Sequence, residues 1–138
     1  MNKKLHNYQG VKVSQIVKAI QENLSDDLLH PKYINIKNHK YFGHCYVASE
    51  TFYHMAKRFN LGNFKIYNNR DQNNISHWWL VNLDNGNILD ITKKQYTDNG
   101  LEPPYENAVS RGFLTKQPSK RSQILIDRII GNIGGDKT

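Results

Sequence analysis

The chain has 138 residues with 38% hydrophobic and 22% charged side chains, the size of one ordinary domain with a modest core. Fifteen aromatics (5 Phe, 8 Tyr and 2 Trp) add large buried area per ring and argue against wholesale disorder. No stretch approaches the roughly 18 apolar residues of a membrane span, and the Lys-rich start lacks a signal peptide's apolar run. A single cysteine, Cys45, allows no disulfide within the chain, so a reducing cytoplasm is the expected compartment.

Residues 1–10 read as a loose basic entry. Val13, Ile16, Val17, Ile20 and Leu24 have helical spacing, which predicts a helix over 14–24 capped by Ser14. Ile34 and Ile36 alternate with Asn35 and Lys37, as in a short strand or an extended approach. After Gly43, the residues Cys45, Ala48, Phe52, Met55, Ala56 and Phe59 fall on one helix face, and Leu61-Gly62 reads as the stop. A strand is expected over 64–67, a polar loop over 68–74, and a second strand over 76–83. A third follows over 87–91. Asp84-Asn85-Gly86 between the last two is a hairpin signal. A two-residue turn at Asn85-Gly86 would set Asp90 opposite Val81, on the face of His77 but nearer the turn. Residues 97–118 read as irregular, and a last helix is expected over 119–130 before a frayed tail at 132–138. Helix, helix, strand, hairpin, helix in one domain is an α+β chain with helices packed on an antiparallel sheet.

The net charge is +7, from 19 Lys plus Arg against 12 Asp plus Glu. The densest basic cluster holds Arg111, Lys116, Lys120 and Arg121, a candidate surface for an acidic protein partner or nucleic acid. No His-x3-His or Cys-x2-Cys pair and no Gly-rich phosphate loop occurs, so no metal or organic cofactor is expected.

Three residues carry chemistry together. Cys45 sits at a helix start, where exposed N–H groups and the dipole favour a thiolate. His77 opens a strand and Asp90 lies near the end of its hairpin partner. A thiolate attacks an acyl carbon, an imidazole moves the proton, and a carboxylate fixes the imidazole tautomer. Trp79 shares the face of His77, whereas Trp78 points the other way. One ring is expected in the core and the other toward solvent or a cleft, and Trp78 and Trp79 are candidate binding residues, an aromatic wall that excludes water and holds a substrate side chain.

Gly43-His44-Cys45, then Ser76-His77-Trp78-Trp79-Leu80-Val81, then Leu89-Asp90-Ile91-Thr92 resemble the transglutaminase-like branch of the papain-like cysteine superfamily. The likeness spans residues 43–92; the rest is similar to small uncharacterised proteins of bacteria and their phages. It implies a Cys45–His77–Asp90 catalytic triad, and a papain-like core with the nucleophile helix on an antiparallel sheet. Ile91 stands where many members have Pro, and His39 stands where a papain-type enzyme has its oxyanion Gln. Asn38, His39 or a backbone group are the alternatives for that role. The expected activity is that of a thiol hydrolase or acyltransferase acting on a protein or peptide through a Cys45 thioester. Peptide or isopeptide hydrolysis, deamidation and transamidation remain open. The alternative is a non-enzymatic basic binding module, including a phage inhibitor of a host factor.

Overall fold

The structure is a computed structural model of the chain, and it describes residues 11–110, 112 and 116–131. The ends at 1–10 and 132–138, expected to be loose, lie outside the described residues.

The first helix, α1 (Val13–Asn23), starts one residue before Ser14. Lys12 is its N-cap, and the Lys12 N–H donates to the Gln15 side chain at 2.7 Å, so Ser14 lies inside the helix and caps nothing. A 3-10 turn (Asp26–Leu28) and a one-turn helix α2 (Pro31–Ile34) follow. The alternation at Ile34 and Ile36 is therefore not a strand. Pro31 presets the helical turn, His30 Nδ1 accepts from the Lys32 N–H, and both isoleucines are exposed.

Helix α3 (Cys45–Phe59) begins at the cysteine, as its periodicity predicts. It ends at Asn60 rather than at Gly62. Asn60 takes the left-handed conformation (φ 57°) and its N–H donates back to the last turn.

Strand β1 (Phe64–Arg70) extends three residues beyond the expected strand, because Asn68, Asn69 and Arg70 pair with Trp78, His77 and Ser76 of β2 (Ser76–Asn82). The turn between them is closed by Asp71 Oδ1, which accepts from the Asn73 and Ile75 N–H groups. Strand β3 (Ile88–Leu89) pairs with Val81 and Leu80, and a one-turn helix α4 (Lys94–Thr97) follows. Strand β4 (Val109–Ser110) lies in the stretch read as irregular, and forms by pairing with Asn68 and Tyr67. Helix α5 (Lys120–Ile130) is capped by Ser119, whose side chain accepts from the Ser122 N–H. The result is an α+β domain with an antiparallel sheet in the order β3-β2-β1-β4. Among the described residues no helix is long and apolar enough to cross a membrane.

One sheet face builds the core. Phe64, Ile66 and Leu80 pack with Ile16 and Ile20 of α1, Val47, Ala48, Phe52 and Met55 of α3, and Leu125, Ile126 and Ile129 of α5. These apolar stripes leave water together, at about 25 cal/mol per Å² of apolar surface buried. The opposite face carries His77 and Trp79, and the rings of Tyr96 and Tyr105 cover it.

Candidate active site

Three local arrangements converge on Cys45. Gly43 precedes the helix with φ +80°, and a Cβ there would meet Leu29 Cδ1 at 2.6 Å. Only glycine lets the chain turn tightly against the 3-10 segment and enter α3 at His44. The cysteine then occupies the first helical position, whose N–H has no acceptor within the helix. Finally, β3 covers β2 only at Leu80 and Val81. The carbonyls of Ser76 and Trp78 accept instead from Cys45 Sγ, at 3.7 Å, and from Ser49 Oγ, at 3.3 Å. Cys45 and Ser49 are one turn apart on α3, so the helix runs along the part of β2 that β3 leaves open.

Asp90 reaches His77 because the hairpin is not a two-residue turn. Leu83 leaves the ladder to donate to Asn63 O, Gly86 (φ +77°) donates to Asn82 O, and Asn82 bonds Asn87. A four-residue loop over 83–86 moves the register by two, which keeps each side chain on its face. Leu80 pairs with Leu89, so Asp90 comes level with Trp79 and diagonal to His77, not opposite Val81. The gap closes to a 2.7 Å bond between His77 Nε2 and Asp90 Oδ2, with those side chains 0% and 1% exposed.

With Nε2 taken by Asp90, Nδ1 is the ring nitrogen left to face the Cys45 thiol. Burial pushes the His77 pKa down, but the Asp90 hydrogen bond and the neighbouring Cys45 outweigh it and raise the imidazole to about 9. Both residues are buried, Cys45 at 6% and His77 at 0% exposed.

The surroundings are aromatic. Trp79 stacks on His77 with centroids 5.6 Å apart, and Tyr96 packs edge-on at 4.8 Å. Trp79 is buried and forms a wall of the site beside His77. Trp78 is half-buried and packs edge-on to Tyr46, the residue after the cysteine.

Two tyrosines that sequence reasoning missed hold this wall. Tyr105 Oη donates to Asp90 Oδ2 at 2.8 Å, the same oxygen that meets His77. Tyr96 Oη donates to Asp71 Oδ2 at 2.8 Å. Burial first, and then the adjacent carboxylates, raise both phenol pKa values and keep them as donors. Asn69 clamps the Tyr105 segment, its Nδ2 donating to Pro104 O and Glu106 O on either side. The rigid Pro103-Pro104 pair before Tyr105 was the available signal. Asn69 carried none.

His39 is not free to act as an oxyanion donor. Its Nε2 bonds Asp98 Oδ2 at 2.8 Å and its Nδ1 accepts from the Tyr41 N–H. His44, beside the cysteine, is buried, and desolvation lowers its pKa to about 4. Lys116 and Lys120 are exposed and Arg121 is half-buried at the start of α5, while Arg111 lies outside the described residues. Among the described residues no cluster of three or more His, Cys, Asp or Glu side chains could hold a metal.

No protein-family model matches this chain, and no curated protein or solved structure matches it either.

Proposed function

We propose that the protein is a cysteine-dependent acyl-transfer enzyme, with Cys45 as nucleophile, His77 as general base and acid, and Asp90 as the orienting carboxylate. The observation that carries this reading is the buried 2.7 Å His77–Asp90 bond, formed on a strand whose first carbonyl receives the Cys45 thiol. A buried imidazole raised to about 9 is an imidazolium at neutral pH, the partner a thiolate needs. The helix on an antiparallel sheet, with the order Cys, His, Asp along the chain, supports a transglutaminase-like core.

Cys45 Sγ, as thiolate, adds to the carbonyl carbon of a peptide, isopeptide or carboxamide. The Cys45 N–H at the helix start stabilises the resulting oxyanion. His77 gives its proton to the leaving nitrogen as the C–N bond breaks, leaving a thioester and a neutral imidazole. Asp90 holds the tautomer throughout, and Tyr105 holds Asp90. Water or an amine then attacks the thioester carbon, losing a proton to His77. The C–S bond breaks and the thiolate–imidazolium pair is restored. Hydrolysis is the outcome where water reaches the thioester first.

The first test is the pH dependence of Cys45 alkylation by iodoacetamide in wild type and His77→Ala. As the chain's single cysteine, Cys45 reports alone. Fast labelling that persists below about pH 7 and moves toward about 8.5 in His77→Ala is the expected result. Labelling like an ordinary thiol in both proteins would make Cys45 a core residue.

A further inference from the structure

Beside the first turn of α3, the described residues leave an opening on the helix-bearing face of the sheet. There a groove of ≈ 750 Å³ is lined by Asn68, Arg70, Ser76, Trp78, Val109 and Ser110, together with Asn69 and Gly112. This volume falls in the range of roughly 300–1,000 Å³ usual for ligand sites. Neither His77 nor Asp90 lines it, because strand alternation sends their side chains elsewhere.

Cys45 does not line it either, but two residues of the lining touch the start of α3. Ser76 is the residue whose carbonyl takes the Cys45 thiol, and Trp78 packs on Tyr46, one residue past the cysteine. We propose that this groove holds an acidic polypeptide segment and presents its reacting carbonyl to Cys45, a substrate assignment that rests on the acyl-transfer reading above.

The chemistry of the lining selects that class. Asn68, Ser76 and Ser110 offer amide and hydroxyl groups suited to peptide N–H and C=O partners. Trp78 and the exposed Val109 offer apolar contact. Arg70 is the one charged side chain among the described residues that line the groove. Its Nη1 donates to Asn74 O at 2.9 Å, which fixes the guanidinium and leaves further N–H donors for a carboxylate. Asn69 is spent on the Tyr105 segment and on the Arg70 N–H, so it shapes the groove without recognising a ligand. The chain's net charge of +7 favours encounter with an acidic segment in general.

The test uses matched N-iodoacetyl peptides flanked by Glu or by Lys, with iodoacetamide measuring the intrinsic reactivity of the thiol. Intact mass gives the labelling rate of Cys45. The Glu peptide should label saturably and about tenfold faster than the Lys peptide, the worth of one charge-assisted hydrogen bond. Arg70→Lys should keep this preference and Arg70→Glu should invert it, each peptide rate being taken relative to the same variant's own iodoacetamide rate. Equal rates for the two peptides, or a preference that survives Arg70→Glu, would overturn the groove assignment while fast, His77-dependent iodoacetamide labelling left the triad standing. A single-stranded oligonucleotide that blocked the groove more tightly than the Glu peptide would overturn it in favour of nucleic acid. If iodoacetamide itself found an ordinary thiol in wild type, both proposals would fall together.

Discussion

Asp90→Asn keeps the shape of a buried side chain and removes its charge, which makes it the sharpest probe of the site. In the folded protein His77 is raised from 6.5 to about 9. At 1.36 kcal/mol per pKa unit, that displacement corresponds to about 3 kcal/mol favouring the imidazolium. Burial opposes it, so the hydrogen bond to Asp90 and the neighbouring Cys45 supply more than this net amount. With asparagine the Oδ2 charge is gone, burial, already the largest single influence, is opposed by Cys45 alone, and the His77 pKa should fall below 6.5. The thiolate then loses its cationic partner at neutral pH. Iodoacetamide labelling at pH 6 should drop at least about tenfold, while labelling at pH 10 should change little. Two readouts suffice: the alkylation rate from pH 5 to 10, and the NMR titration of the His77 ring protons. If His77 in Asp90→Asn still titrates near its wild-type pKa, or the alkylation profile does not move, the coupling inferred from the 2.7 Å bond is wrong.

Thermal stability should peak near pH 6.5. His77 binds its proton more tightly when folded, so its contribution is complete below about 6.5 and is lost as pH rises through about 9. His44 is the reverse: its folded pKa of about 4 makes the fold lose stability as pH drops from 6.5 toward 4. His77→Gln should flatten the alkaline limb of Tm against pH, and His44→Gln the acid limb; limbs unchanged in both variants would reject the assignment. Tyr105→Phe removes one hydrogen bond to a buried carboxylate and should cost about 1–3 kcal/mol in urea unfolding. It should also raise the pH at which His77 deprotonates, because the freed Asp90 oxygen then accepts from the imidazolium alone, a shift that mere loss of packing would not produce. Gly43→Ala must adopt φ +80° and displace Leu29, and should destabilise the protein by about 2–4 kcal/mol. A midpoint within about 0.5 kcal/mol of wild type would show that the turn before Cys45 is not constrained.

Elements whose signal is local were legible in the chain. The stripe from Cys45 to Phe59 has one period and one reading, so both the helix and the position of the cysteine at its start follow from the sequence. Ser76–Asn82 is rich in aromatic and β-branched residues, and the face shared by His77 and Trp79 follows from alternation alone. Elements that exist only through a partner were not legible. Asn68, Asn69 and Arg70 are poor strand formers made into strand by Trp78, His77 and Ser76 across the ladder. Val109–Ser110 is strand for the same reason. Two alternating isoleucines at 34 and 36 were too short a pattern to outweigh Pro31 and the His30 cap.

The candidate site divides along the same line. Residue types, their order and their faces determined that Cys45, His77 and Asp90 could act together, because a two-residue slip in register does not change a face. Tertiary structure decided whether they meet. The 83–86 loop sets the register that brings Asp90 to His77, and the shortness of β3 leaves the β2 carbonyls to Cys45 and Ser49. Tyr105, fifteen residues from Asp90, arrives on the same carboxylate oxygen only because Asn69 ties its segment to β1. Such contacts depend on distances closed by the whole fold, and no local pattern of side chains encodes them.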